Sequence, residues 1–337
     1  MVGQLIKKEA KSDESRNYRN LVLFFFLSLG GGWLASWGGL PPAAAKTLGV
    51  TIFCALGWIF QPAPLAVISL TPLFALPFLG VLNHRDAAAA YGHTLIWLLF
   101  AGFLLSRGIE ASGTHRRFAF GLIHLLGGEK ATPRRLLLGF MLTSYLASMW
   151  ISNTATLLIL LPIILAACSE ARTRVPCLVG SAWAASIGGM ASPIGTPPNL
   201  LFMGTLDETF GQEWSFLDWS AKALPISLLL LPPAYWIIAR SLENRSIPQV
   251  AQPSTWTSPE IRALIIFGIT ALLWITRRSP HGGWSKLLEL NTPGDASTAA
   301  LGAFFMMVIP RSRHDRKPLL SWEAARKLPW GVLLLFG

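Results

Sequence analysis

Ser148-Met149-Trp150-Ile151-Ser152-Asn153-Thr154-Ala155-Thr156 interrupts an otherwise apolar stretch that runs from Arg135 to Cys168. That polar break decides what kind of molecule this is. At mid-membrane, a lipid-exposed Ser-Asn-Thr tip would leave backbone groups without partners, because hydrocarbon offers none. The tip must therefore be buried in protein or face a water-filled cavity. Helical arms of about 16 residues reach about 24 Å at 1.5 Å per residue, enough to bring the tip near mid-membrane. The stretch reads as a re-entrant helical hairpin over residues 135–168.

The composition agrees with a bilayer environment. Charged residues make up 13% of the 337-residue chain and apolar residues 52%, with a mean hydropathy of +0.49. A soluble chain carries roughly a quarter charged residues. Fourteen tryptophans fit the same picture, since Trp favours the membrane–water interface. The net charge of +11 does not mark a nucleic-acid partner. The cations cluster between apolar runs, at Lys7–Arg19, Arg107–Arg135 and Arg311–Lys327, where a membrane protein places its cytoplasmic loops. No soluble basic face with interleaved aromatics is visible. Cys54, Cys168 and Cys177 lack metal-like spacing and read as packing residues. No cleavable leader is apparent; Leu21 onward reads as a retained first helix, preceded by a tail, residues 1–20, expected to be disordered over Lys7–Asn20.

Apolar runs place spans at Leu21–Trp37, Lys46–Phe60, Pro64–Leu82, Tyr91–Ser106, Cys177–Pro193, Ala223–Arg240, Ile261–Ile275 and Ala296–Ile309. Thr114–Leu126 is short and amphipathic, an interfacial helix. The positive-inside bias puts the N-terminus, with Lys7, Lys8, Lys11, Arg16 and Arg19, in the cytoplasm. Arg107, Arg116, Arg117, Lys130, Arg134 and Arg135 fall on that side too, as do Arg311, Arg313, Arg316, Lys317, Arg326 and Lys327. The acidic loop with Asp207, Glu208, Glu213 and Asp218 suits the outside, as a solvated segment. The basic loop Arg277–Lys286 falls outside against the rule. Arg107, His115, Arg116 and Arg117 read as headgroup anchors; His93, His124 and His281 show no ligand spacing.

A second break follows the hairpin: Gly188-Gly189-Met190-Ala191-Ser192-Pro193-Ile194-Gly195-Thr196-Pro197-Pro198-Asn199. Hydroxyls, the Asn153 carboxamide and unwound carbonyls are hard oxygen donors that suit Na⁺. A half-helix starting after Ser152-Asn153-Thr154 offers unpaired N–H groups and a positive dipole end to an anion. Pro197-Pro198 cannot donate and so leaves upstream carbonyls free. Gly188, Gly189 and Gly195 permit the turn and a close ion approach. Polar residues at a helix break can also be no more than caps, and Gly-Pro kinks are common in membrane helices. Two such breaks in succession point to a site.

These two motifs resemble the hairpin and broken-helix signatures of the divalent anion:sodium symporter family, the sodium-coupled dicarboxylate, citrate and sulfate carriers. The resemblance runs from about Leu95 onward. It implies an all-α integral membrane protein, an inverted-repeat secondary transporter working as a homodimer by elevator-type alternating access. Scaffold helices would occupy residues 21–90 and 206–310. The first transport-domain half would span 91–205, with the hairpin at 135–168 and the broken helix at 177–204. Residues 311–337 would be a cytoplasmic loop and the start of the second half. A weak echo between Ile96–Gly102 and Val332–Gly337, with opposite starting sides, fits an inverted repeat. Ser148, Ser152, Asn153 and Gly195 would surround the first sodium ion. Ser152, Asn153, Thr154, Thr196 and Pro197 would meet one end of a small dianion. The family's second Ser-Asn-Thr motif and second sodium site are missing, so the chain is expected to be cut short.

The expected function is Na⁺-coupled transport of di- or tricarboxylate, or sulfate, across a bacterial inner membrane, with no cofactor beyond the coupling ion. Other permeases of related fold, for arsenite or Na⁺/H⁺ exchange, stand as alternatives, as does an inactive fragment. Proton exchange relies on buried carboxylates, and residues 135–204 contain only Glu170. An enzyme is not expected, since no intramembrane His/Asp/Glu cluster or nucleophile–base pairing is present.

Overall fold

The computed structural model describes residues 2–127, 132–168, 170–243, 255–278, 283–290 and 294–337. Lys130 and His281 lie outside them. The described elements are all helices, with one isolated bridge between Pro310 and Pro318. They separate into two compact units, Met1–Ile96 with Pro329–Gly337, and Trp97–Leu328.

In the first unit, α1 (Val2–Trp37) and α2 (Pro42–Phe60) form an antiparallel pair joined by a turn at Gly38-Gly39. They cross closely through glycine: a methyl on Gly32 would sit 3.0 Å from the Ala45 carbonyl, and one on Gly49 3.0 Å from that of Ser28. Small residues let membrane helices approach in this way. The tail expected to be disordered is instead the first part of α1. Lys, Glu, Ala and Arg are good helix formers, and the apolar half supplies the nucleus from which the helix propagates.

The run Pro64–Leu82, expected to cross in one piece, is bent into α3 (Leu65–Ser69) and α4 (Thr71–Phe78). Pro72 enters the first turn of α4 and Pro77 lies inside it, where its ring crowds the preceding turn and removes a donor. Then come α5 (His84–Tyr91), capped by the Asn83 side chain, and, after the second unit, α17 (Trp330–Phe336). Gly331 of α17 packs on Ala66 of α3.

The second unit holds α6 (Thr94–Ser112) from Trp97 onward, α7 (Thr114–Gly127), α8 (Pro133–Ser148), α9 (Asn153–Ala167), α10 (Ala171–Gly189), α11 (Pro197–Phe210), α12 (Phe216–Ala239), α13 (Ser258–Ile275), α14 (Gly283–Leu287), α15 (Asp295–Val308) and α16 (Trp322–Ala325). Among the described residues five helical segments are long and apolar enough to cross a bilayer: Arg19–Trp37, Pro42–Phe60, His84–Ser112, Phe216–Ala239 and Ser258–Ile275. Their outer faces carry large apolar side chains in the open, such as Phe26 at 63%, Leu229 at 76% and Leu272 at 60% exposed. Helices this apolar on an unburied face need lipid around them.

The hairpin α8–α9 is held by α10, which runs parallel to α8. Gly180 meets Leu137 and Met141, and eight residues later Gly188 meets Tyr145. Ser144 Oγ donates to the Ser181 carbonyl at 2.7 Å. The hairpin is also packed against α12 and α13. Tyr145 Oη shares a 2.7 Å hydrogen bond with Ser227, the twelfth of the 24 residues of α12. Trp150 meets Phe267 edge-on at 4.9 Å, the tenth of the 18 residues of α13. The hairpin thus touches the middle of α12 through Tyr145 and the middle of α13 through Trp150, so it is enclosed by two helices of crossing length.

Ion pairs fasten both ends of the helices. Arg117 and Glu260 pair at 2.9 Å, each under a tenth exposed, and Arg107 bonds Glu110 and the Lys327 carbonyl. His115 is buried as well. Arg117 and His115 are therefore interior residues and not headgroup anchors. At the other end Arg277 pairs with Asp295 at 2.7 Å, both buried, and Arg278 with Glu213 at 2.9 Å. That accounts for the anomalous basic loop: two of its cations are neutralised in place by acids that share their face. Asp218, read above as solvated, completes a capping box with Ser215 at the start of α12.

Because a methyl on Gly188 would stand 2.2 Å from the Tyr145 carbonyl, Gly188→Ala should destabilise the chain by about 1–3 kcal/mol. Gly268→Ala on α13, with nothing within 4 Å, should be neutral or mildly stabilising. Thermal unfolding of the two variants in the same detergent checks the contrast.

Candidate functional site

The site is built where two helices stop short. α8 is capped by Thr132, whose Oγ1 accepts from Arg135 N at 3.3 Å, and it ends at Ser148. The chain turns through Met149-Trp150-Ile151, with Trp150 N and Ile151 N donating to the Ala147 carbonyl at 3.0 and 2.9 Å. Ser152 then caps α9, its Oγ accepting from Ala155 N at 3.3 Å. The end of α8 leaves the Ser148 carbonyl without a helical partner, and the start of α9 leaves the amides of Asn153 and Thr154 the same way. No acid lies in the first turn of α9, so nothing within the helix offsets its positive end.

The second break runs from Met190 to Thr196. Pro197 and Pro198 open α11 in its first turn, the position where proline fits a helix best. They start a helix; they do not disrupt one. The upstream carbonyls, expected to be left free, are partly satisfied by a residue whose role the motif did not reveal. Buried Asn199 sends Nδ2 to the carbonyls of Gly189 and Ser192, both at 2.8 Å. Ser192 Oγ donates to the Met149 carbonyl across the gap between the two breaks and accepts from Gly195 N at 3.1 Å. Nothing in spacing alone marks Ser192 or Asn199; the signal was the presence of polar side chains in a run where backbone pairing is lost.

Of the predicted residues, Ser148, Asn153 and Gly195 are brought together. Ser148 Oγ donates to Asn153 Oδ1. Gly189 is pressed against the Asn153 carboxamide, whose Oδ1 lies 2.6 Å from where a methyl would be. One point beside Gly195 Cα lies 2.6 Å from the Gly189 carbonyl oxygen and 2.9 Å from that of Ser148. Neutral carbonyl, hydroxyl and amide oxygens therefore collect around the two glycines, a donor set suited to a hard cation. Among the described residues no cluster of three or more His, Cys, Asp or Glu exists that could hold a metal ion. Ser148 and Gly195 are buried, Ser152, Asn153, Thr196 and Pro197 half-buried, and Thr154 exposed. With Pro197 and Pro198 lacking N–H groups and Asn199 N donating to the Thr196 carbonyl at 3.1 Å, α11 has little to offer an anion. The start of α9 has more.

The tip is clamped by rings. Trp150 stacks on Phe216 at 5.9 Å, and Phe216 on Trp274 at 4.5 Å. Trp274 Nε1 donates to the Asp295 carbonyl at 3.0 Å, and Phe216 N to Asp295 Oδ2 at 2.7 Å. Trp219 Nε1 donates to the Met190 carbonyl at 2.9 Å. The start of α12 thus grips both breaks.

A bundle of apolar helices of crossing length, with two interrupted ones meeting inside it, is the fold of an all-α membrane transporter. The sequence comparisons specify which kind. Residues 55–337 match the model of a family described as citrate transporters. The chain is 31% identical, over 361 residues, to the sodium-dependent dicarboxylate transporter SdcS of Staphylococcus saprophyticus, with 98% of this chain and 68% of the relative covered. It is 30% identical over 325 residues to the protein of the same name from Staphylococcus aureus strain MW2, covering 88% and 61%. The chain belongs to the citrate transporter family, among the divalent anion:sodium symporters, and spans about two thirds of the length of these relatives.

Asn199→Leu removes both donors to the broken segment and leaves two buried carbonyls unmet, at about 1–3 kcal/mol each. Hydrogen exchange should quicken across residues 190–196 while the interior of α8 stays protected. Unchanged exchange there would remove Asn199 from its bracing role.

Proposed function

We propose that this chain carries a sodium site and one end of the substrate site of a carrier that couples Na⁺ to small di- or tricarboxylate anions. One observation supports the reading above the others: two interrupted helices meet inside the bundle, with neutral oxygens on one side and an uncompensated helix N-terminus beside them. Ser148 Oγ, Asn153 Oδ1 and the carbonyls of Ser148 and Gly189 replace the hydration shell of the cation, and Gly189 and Gly195 leave room for it. The cation adds its charge to the positive end of α9. An anion held by Ser152, Asn153 and Thr154, with Thr196 and Pro197 at the rim, then binds best when sodium is already there. That is coupling by direct electrostatics, strengthened away from bulk water.

The names of the relatives, sodium-dependent dicarboxylate transporters from staphylococci, support the choice of ion, substrate class and a bacterial plasma membrane. The citrate transporter family match supports extending the class to tricarboxylates. Elevator-type movement of an inverted-repeat transport domain, a homodimer and a cytoplasmic N-terminus complete the proposal, on the resemblance alone. Na⁺/H⁺ exchange is the weaker reading, because neither break contains a carboxylate to carry a proton.

Asn153→Ala should abolish sodium-dependent uptake of succinate or citrate by the polypeptide that contains this chain, while insertion continues; undiminished uptake would overturn the site. Gly195→Ala puts a methyl 2.6 Å from the Gly189 oxygen and 2.9 Å from the Ser148 oxygen, where the cation would rest. The rise in unfolding temperature of the purified chain in NaCl, against choline chloride at equal ionic strength, should vanish in that variant.

A further inference from the structure

We propose that the turn joining α15 to α16 is a docking surface for acidic phospholipid, holding the headgroups of the bilayer around the chain. From Arg311 to Lys327 the sequence carries Arg311, Arg313, Arg316, Lys317, Arg326 and Lys327 against two acids, Asp315 and Glu323. The proposed carrier site uses none of them. A cluster of about four to eight Lys or Arg just beyond a membrane helix attracts anionic lipid. Here the fold adds a fixed shape and a fixed height.

The shape comes from backbone pairing. The chain folds back on itself straight after α15: Leu319 N donates to the Ile309 carbonyl at 2.9 Å, Arg311 N to that of Lys317 at 2.8 Å and Ser312 N to that of Asp315 at 3.1 Å. Leu319 and Leu320, both fully buried, anchor the return, and Arg262 of α13 donates to the Pro310 carbonyl. Within the turn Ser312 Oγ accepts from Asp315 N at 2.8 Å, and Asp315 Oδ1 from Lys317 N at 3.1 Å. The one acid of the turn is thus engaged with the backbone and half-buried, while Arg313, His314, Arg316 and Lys317 are exposed. A turn already held in this way loses little conformational freedom when an anionic surface meets it. Exposed cations around a tight turn suit a plane of headgroups, whereas a lone small anion is held by donors converging in a recess.

The height comes from the apolar neighbours. Leu301, Phe304 and Val308, at helical spacing along α15, are 48%, 58% and 57% exposed, a stripe that needs lipid beside it. The stripe ends two residues before Pro310. On the far side of the turn Trp322 is 66% exposed, and exposed tryptophan settles at the membrane–water boundary. An apolar stripe leading into the turn and an aromatic marker leaving it put the cations at the level of lipid phosphates. A phospholipid matches both parts, acyl chains on the stripe and phosphate on the cations. An acidic protein would match the cations alone.

The test uses the purified chain in nanodiscs of equimolar phosphatidylglycerol and phosphatidylcholine, with native mass spectrometry counting the lipids that stay bound on release. Phosphatidylglycerol should be retained over phosphatidylcholine by about ten-fold. Replacing the exposed cations, Arg313→Gln with Arg316→Gln and Lys317→Gln, leaves the backbone pairing intact and should cut that ratio about five-fold. A matched triple on other helices, Arg116→Gln with Arg134→Gln and Arg172→Gln, should change it less than about two-fold. Asp315→Asn keeps an acceptor for Lys317 N and removes one negative charge, so the ratio should rise. Equal retention of the two lipids in the unaltered chain overturns the proposal, as expected for a turn that meets a soluble acidic partner instead. So does a ratio that survives the loop triple, or one that falls as far in the matched triple, which would mark diffuse surface charge. If the loop triple fails to insert, a ratio that does not rise in Asp315→Asn is decisive against it. The readout needs no transport, so its failure leaves the proposed function standing.

Discussion

The constraint that shapes this molecule is that broken backbone inside an apolar layer must find partners within the protein. Asn199 and Ser192 meet it. Asn199 closes the gap left after α10 by bonding two carbonyls of the same break, and Ser192 reaches across to the Met149 carbonyl in the other. With those bonds made, two helices can stop inside the bundle with part of the lost backbone pairing restored. Surplus carbonyl oxygens and amides are then left pointing at one another's surroundings. The chemistry of the site is what remains after the structural requirement is met.

Glycine sets how close the two halves come. Gly180 and Gly188 let α10 lie directly on α8, and Gly189 and Gly195 bring one break against the carboxamide and carbonyl of the other. Around this pairing the start of α12 acts as a brace. Phe216 stacks between Trp150 and Trp274, and its amide is tied to Asp295, itself locked to Arg277. A buried ion pair is a poor source of stability once desolvation is counted. Here its value is positional: it anchors the ends of α13 and α15 to the ring stack that fixes the hairpin tip.

The breaks themselves were legible in the sequence, because Ser, Asn, Gly and Pro stand out in an apolar background and each has a known backbone consequence. The hairpin was legible for the same reason. What could not be read was pairing between distant positions. Spacing does not say that Arg277 faces Asp295, and without that pair the basic loop breaks the charge rule. Nor does it say that Arg117 turns inward to Glu260, so a buried cation resembled a headgroup anchor. The bend at Leu70 was within reach, since Pro72 and Pro77 are visible, but overall hydropathy outweighed them. The helical tail was missed because polarity was taken as disorder, although Lys, Glu and Ala extend a helix already nucleated in the apolar half.

The contact of Trp150, at the tip, with Phe267 in the middle of α13 has an electrical consequence. In an energised membrane the potential drops across the low-dielectric layer, at ~2.3 kcal/mol per elementary charge per 100 mV. A charge that reaches the tip from either face through water crosses part of that drop. Occupancy by a cation there would respond to voltage from one side and resist it from the other, so the geometry of the turn makes the membrane field part of the binding equilibrium.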